Sequence, residues 1–189
     1  MKKITTKLKN FFSKKPVMIG LIILALAAVL MFVFPLMTMT DRADDTAQLA
    51  VETTTTEFVD NVRQTGKLTL DKYDKFVQNI SATGNSYDVE MEIKTLDENP
   101  GKKTTQAKKD VIGENVYYSQ FTSQIMDTLD KNGVVYLKEG DLFSTSVKNT
   151  NTTMSQQLKG FLYKVSGGND TYSIAAEHAG MVTANGTGK

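Results

Sequence analysis

Apolar and polar residues follow one another along this chain in three different rhythms. From Pro16 to Met39 there is no alternation at all, only 24 consecutive residues without a charge. From Asp41 to Gly84 apolar residues return every three or four positions, and after Ser86 stretches of period two alternate with stretches of helical period. Each rhythm implies a different surrounding. A helix apolar on all sides needs lipid or a protein interior, a striped helix needs one buried face, and an alternating strand buries one side only.

At about 1.5 Å per residue, the charge-free run reaches roughly 36 Å as a helix, against a hydrocarbon core of about 30 Å. It is long enough to span a membrane with some tilt. Pro35, near one end, predicts a kink rather than a stop. A cleaved signal has an apolar stretch of about 7–15 residues followed by a small-residue site. Ala25-Leu26-Ala27 supplies such a triplet, but AVLMFVF follows it, so cleavage there would leave an apolar end and the run is expected to persist as an anchor.

In residues 41–66, Ala47, Val51, Phe58 and Val62 fall near one helical face and Gly66 supplies a stop. The threonines Thr53 to Thr56 have poor helix propensity, so this helix must rely on packing. A second helix is predicted from the spacing i, i+3, i+4, i+7 of Tyr73, Phe76, Val77 and Ile80, capped by Thr69 and ending before Gly84. Period two then takes over: Tyr87, Val89, Met91 and Ile93 share one strand face, and Asp88, Glu90, Glu92 and Lys94 the other. Residues 97–110, with Asn-Pro-Gly and four lysines, read as a solvated loop. Phe121, Ile125 and Leu129 mark a helix that stops at Asn132-Gly133, and strands over 134–138 and 141–149 are joined at Glu139-Gly140 as a tight hairpin. Met154, Leu158, Phe161 and Leu162 predict another amphipathic helix, and residues 171–182 a closing strand.

The fold class expected is therefore α+β. A transmembrane helix and its helical extension lead into strand, helix, strand, strand, helix, strand. That order is the ferredoxin-like βαββαβ arrangement, an antiparallel sheet with helices on one face. The expected divisions are a cytoplasmic basic segment (1–15), the transmembrane helix (16–39), a helical stalk (40–84), an extracytoplasmic α+β domain (85–183) and a flexible tail (184–189).

Charge orients this plan. The chain of 189 residues carries a net charge of +1, but its first fifteen residues hold six lysines and no acid. Without those six, 16 basic residues face 21 acidic ones, a net of −5 on the rest. By the positive-inside rule the amino terminus stays cytoplasmic and the remainder lies outside a cell membrane crossed once. There is no cysteine, so the outer domain depends on its core.

Candidate chemistry is sparse, and no enzyme activity or cofactor is expected. The single histidine, His178, shares a strand phase with Tyr172 and Ile174, which favours a sheet position over catalysis. Without cysteine or a second histidine there is no transition-metal spacing, and Ser166-Gly167-Gly168-Asn169 lacks the lysine of a phosphate loop. Asp41, Asp44 and Asp45 read as acids opposing the dipole at a helix start, rather than a cation site. Glu90 and Glu92 read as a wet strand face. The Asn-x-Ser/Thr triplets at Asn79, Asn151, Asn169 and Asn185 are expected from composition. In the apolar run, Gly20, Leu24 and Ala28 form a stripe at i, i+4, i+8 where another membrane helix could approach closely.

The passages EFVDNVRQTGKLT, KFVQNISATGNSYDVEMEIKTLDENPGKK and GVVYLKEGDLFSTSVKNTNTTMSQQL resemble small membrane-anchored proteins of tight-adherence (Tad) pilus clusters in Gram-positive anaerobes, the TadE-like minor pseudopilins. The resemblance covers most of residues 57–158. It implies a membrane-anchored pilin-like structural protein, whose apolar helix packs with other pilin-like subunits and whose outer domain assists assembly of an adhesive pilus. Prepilin processing in the wider family takes a glycine before the cut and a glutamate five residues into the mature helix. Here Ala25 is fifth after Gly20, which points to a minor component or assembly factor. An extracytoplasmic ligand-binding or sensor module on one transmembrane helix is the alternative that the same architecture allows, and a deep pocket with convergent polar groups would favour it.

Overall fold

The computed structural model describes residues 16–96, 117–166 and 173–186. The basic segment 1–15, the lysine loop 97–110, the turn at Gly167-Gly168-Asn169 and Tyr172 lie outside them. Two compact units make up the chain, Met1–Ala43 and Asp44–Lys189.

Helix α1 runs from Pro16 to Thr65 and continues past Pro35. Its charge-free part is long and apolar enough to cross a membrane, and none of that stretch is buried by protein. In the second unit the same helix has one buried stripe, Asp44, Ala47, Val51, Thr55, Phe58, Val59 and Val62, which contains every face residue the periodicity predicts. Asp41, Asp44 and Asp45 are not at a helix start, because α1 begins 25 residues before Asp41. The dipole reading of these acids is therefore corrected. From Asp44 onward α1 belongs to the same compact unit as the sheet, with Val51, Val59 and Val62 fully buried in its core.

Gly66 ends α1 with φ 62°, donating to Val62 O at 2.8 Å. Strand β1 (Lys67–Thr69) leads into α2 (Leu70–Ser81), whose N-cap Thr69 accepts from Lys72 N, as the cap signal predicts. Phe76 and Ile80 of α2 are buried, and Tyr73 and Val77 pack against the core. The Phe76 ring stacks on Phe58 of α1 with centroids 4.3 Å apart, and Phe143 meets Phe58 edge-on at 5.8 Å.

Strand β2 (Tyr87–Leu96) is the alternating segment, with Met91 and Ile93 buried. It is followed by β3 (Tyr117–Phe121), α3 (Thr122–Asn132), β4 (Val134–Tyr136), β5 (Leu142–Asn149), α4 (Met154–Ser166) and β6 (Ala175–Met181). All pairings are antiparallel. A four-stranded sheet has the order β3-β2-β5-β6, and β1 and β4 form a separate two-stranded sheet. The α+β class, the long apolar first helix and the antiparallel pairing thus stand.

The strand order differs from the ferredoxin-like expectation in two places. The strand over 134–138 is not the hairpin partner of 141–149: β4 pairs with β1, from Lys67↔Tyr136 to Thr69↔Val134. The turn at Glu139-Gly140 does form, but Asp141 closes it onto Lys138 N at 2.8 Å, and Leu137 donates to Gly66 O rather than to β5. The second difference is β3, which flanks β2 from Glu92↔Phe121 to Leu96↔Tyr117. Phe121 is therefore not on the buried helical stripe with Ile125 and Leu129. It ends a strand and is 58% exposed, while Thr122 Oγ1 accepts from Met91 N at 2.7 Å and starts α3 from the edge of β2.

The odd-numbered residues of β2 and β5 form the helix-facing side of the sheet. Met91, Ile93, Phe143, Val147 and Ala176 join Val51, Phe58, Phe76, Ile80, Ile125 and Leu129 in one core. The carboxyl-terminal segment is also tied down. Thr183 N donates to Arg63 O, Glu139 N to Asn185 Oδ1 and Gly186 N to Leu137 O. Asn185 and Gly186 are thus bonded into this folded unit.

Candidate functional site

The stripe Gly20, Leu24 and Ala28 lies on α1 within the charge-free run, and all three residues are exposed. A methyl group added at Gly20 would meet nothing within 4 Å among the described residues. A close-packing partner would have to come from another helix.

In the second unit one face of the sheet is left uncovered by the described residues. Register places Glu90 opposite Ser146 and Glu92 opposite Ser144, and Ser146 opposite Glu177. Together with Asp88, Phe121 and Ser123 they line a depression of about 500 Å³. The period-two reading of Glu90 and Glu92 as a wet face holds. Lys94 partly balances these acids, its Nζ lying 3.3 Å from Glu92 Oε2. Among the described residues no group of three or more His, Cys, Asp or Glu is arranged to hold a metal ion.

His178 lies on the helix-facing side, opposite Thr145. Its Nε2 is 3.5 Å from Asp60 Oδ1, which already accepts Arg63 Nη1 at 2.7 Å. Arg63 reaches on to Met181 O at 2.8 Å, and Gly180 makes room for it: a Cβ there would stand 2.4 Å from the guanidinium. At the other end of β6, Gln48 brackets Ala175, accepting from its N at 3.0 Å and donating to its O at 2.7 Å. Side chains of α1 thus cap an edge strand at both ends, which blunts its capacity to pair with foreign strands. The imidazole adjoins this clasp, and its Nε2 is buried without a hydrogen-bond partner among the described residues. The hydroxyls of Thr55 and Thr145 are buried without a hydrogen-bond partner among the described residues.

A groove of about 370 Å³ between α1 and α2 has Phe58 and Phe76 at its base and Glu57, Asn61, Asp71, Lys72 and Lys75 around it. Burial, then the charge of Lys67, pulls the Lys72 ammonium below its ordinary pKa. Burial, then Asp74 and Asp88, raises the Tyr73 phenol. Lys72 is committed to structure, donating to Thr65 Oγ1 at 2.7 Å and Lys67 O at 3.0 Å.

Two asparagines of the Asn-x-Ser/Thr triplets also have structural tasks. Asn151 accepts from Ser86 N and donates to Asn85 Oδ1, both at 2.9 Å, and Asn185 braces Glu139. The polar pair the sequence reading missed is Asp44 and Thr153. Both are buried, and Thr153 Oγ1 donates to Asp44 Oδ2 at 2.6 Å across 109 residues of sequence. Half of that signal was present locally: Thr153-Met154-Ser155-Gln156 has capping-box spacing, and Thr153 and Gln156 do exchange side-chain-to-backbone bonds at the start of α4. No family model matches the chain, and no curated protein or solved structure matches it either.

Proposed function

We propose that this protein is a membrane-anchored, pilin-like structural component, a minor subunit or assembly factor of a Tad-type adhesive pilus or secretion system. The observation that carries the reading is the dual use of α1. One continuous helix presents an unburied, charge-free surface over its first half and supplies the central core stripe of a folded unit over its second. Such a helix serves lateral assembly in a membrane while holding a folded domain outside it. The resemblance over residues 57–158 supplies the pilus context, and the lysines before Pro16 supply the orientation, amino terminus in the cytoplasm. The role is non-enzymatic, exercised through contacts with pilin-like partners.

Crosslinking in the native membrane tests it. Gly20→Ile and Ala28→Ile should weaken crosslinks to co-assembled pilin-like subunits and reduce surface pili, while the amount of membrane-inserted protein stays unchanged. Unchanged crosslinks and normal pili in both variants would count against the assembly role. Protease added to intact protoplasts checks orientation: a carboxyl-terminal tag should be removed and an amino-terminal tag retained.

A second reading has one observation in its favour. The depression on the open sheet face, with Asp88, Glu90, Glu92 and Glu177 around it, suits a cationic ligand of a sensor module. A thermal shift with polyamines that is lost in Glu90→Gln and Glu92→Gln would support this reading over the first.

A further inference from the structure

Among the described residues, three buried side-chain nitrogen or oxygen atoms have no hydrogen-bond partner: Thr55 Oγ1, Thr145 Oγ1 and His178 Nε2. They come from three different elements, α1, β5 and β6. Thr55 and Thr145 are 0% and 1% exposed. A hydroxyl buried so completely has lost its hydration and needs a bond in exchange.

The fold brings all three to one place. Register sets Thr145 directly opposite His178 on the helix-facing side, and the Cβ atoms of such a pair are about 4.5–5.5 Å apart. Helix α1 runs alongside β6 and is tied to it twice, by Gln48 at Ala175 and by Arg63 Nε at Met181 O. Thr55 comes seven residues after Gln48, a helical rise of about 10 Å. His178 comes three residues after Ala175, also about 10 Å along an extended strand. Thr55 and His178 are therefore level. The ring contact agrees, since Phe58, one turn beyond Thr55, meets Phe143, two residues from Thr145 in β5. Thr55 stands one turn from Val51 and one from Val59, both 0% exposed, so it lies in the middle of the stripe that α1 turns to the sheet.

We infer that one internal water molecule sits at this point and bridges α1 to the sheet, held by Thr55 Oγ1, Thr145 Oγ1 and His178 Nε2. The donors and acceptors match. With the imidazole neutral and its proton on Nδ1, Nε2 accepts one water hydrogen, one threonine oxygen accepts the other, and the second threonine donates its hydroxyl hydrogen to the water oxygen. Three bonds are the usual number for a buried water, and its partners are groups the protein leaves unsatisfied. None of the three atoms is bonded to another. The nearest charged atom to Nε2, Asp60 Oδ1 at 3.5 Å, already accepts from Arg63. The bridge has a use in the core. An apolar stripe tolerates small shifts of α1 along the sheet, whereas a fully satisfied polar contact among three elements fits a single position.

Valine variants of the full-length chain test this by the sign of their effect. Valine keeps the shape and β-branching of threonine and removes only the hydroxyl. If the hydroxyls had no partner at all, Thr55→Val and Thr145→Val would stabilise the protein by removing a buried unsatisfied group. If they hold one water, each variant should lower the folding equilibrium constant roughly five- to ten-fold in chemical denaturation in detergent. The double variant should then lose markedly less than the product of the two, because the first substitution already disrupts the shared water. No loss in either variant, or losses that simply multiply, overturns the proposal. In a high-resolution crystal structure of the full chain, an ordered water should lie within hydrogen-bond distance of all three atoms, and a water that reaches fewer of them overturns the three-way bridge.

Discussion

The two halves of α1 are one helix under two different rules. From Pro16 to Met39 almost every side chain is apolar and exposed, and the described residues bury no face of it. From Asp44 to Thr65 the helix is mostly polar, yet Val51, Val59 and Val62 are completely buried along one line. The first half is specified by composition and the second by periodicity. The difference teaches that apolar content and burial in protein are separate quantities: the richer half buries nothing in protein, and the poorer half organises the core. Thr53 to Thr56 make the same point. Their poor propensity is overridden because Thr55 and its neighbours Val51 and Val59 are packed.

Placing one acid in each half gives the largest predicted contrast. Val59→Asp buries an unpaired carboxylate in the core and should cost at least about 4 kcal/mol, unfolding the second unit as measured by chemical denaturation in detergent. Leu24→Asp should leave that unfolding transition in place and instead impair membrane insertion, by about 3 kcal/mol of apparent insertion free energy. If both variants changed the same readout, the two halves would not be answering to different surroundings.

A smaller contrast comes from glycines that both have positive φ. Gly66, at 62°, ends the packed half of α1, and a Cβ there would stand 2.3 Å from Ala184 O and 2.4 Å from Gly186 N. Gly84, at 84°, has nothing within 4 Å. Gly66→Ala should therefore cost about 2–3 kcal/mol and Gly84→Ala about 1 kcal/mol in the same denaturation assay. Equal losses would mean that the carboxyl-terminal segment does not press on the end of the helix.

Next in size is the bond at the start of the packed half. Thr153→Val leaves the Asp44 carboxylate without this donor and should destabilise by about 1–2 kcal/mol. In a double-mutant cycle with Asp44→Ala, the two losses should be markedly non-additive. Additive losses would remove Asp44 from the anchoring of α4. The smallest effect belongs to the exposed pair of Lys131 and Asp127, 2.6 Å apart with side chains 69% and 63% exposed. Lys131→Ala should change stability by no more than about 0.5 kcal/mol, and salt should remove the difference.

What could be read in advance follows the range of the interactions concerned. The stripe Ala47, Val51, Phe58 and Val62, the Thr69 cap, the stops at Gly66 and Asn132-Gly133 and the alternation of β2 all depend on residues within about one or two helical turns of one another. All are present as read. Phe121 was misplaced for an instructive reason: four residues before Ile125, it satisfies the helical spacing as well as a true stripe member does. Only the ladder with Glu92–Leu96 makes it a strand residue. The candidate stripe Gly20, Leu24 and Ala28 was legible as a spacing, and the structure adds only that the described residues leave it exposed.

By itself, then, the sequence determined the class of each segment: a charge-free run long enough for a membrane, striped helices, and an alternating strand, with lysines on one side of the run. Those properties are carried by local chemistry and by the periods of helix and strand. Tertiary structure alone decided which strands pair, that β4 leaves its neighbour for β1, that Val51, Val59 and Val62 of α1 pack into the core of the unit that holds the sheet, and that Asp44 meets Thr153. Each of these joins residues far apart in the chain, where many pairings satisfy the same local pattern. The choice among them falls to packing around Phe58, Phe76 and Phe143 and to the bonds that close Gly66 onto Leu137.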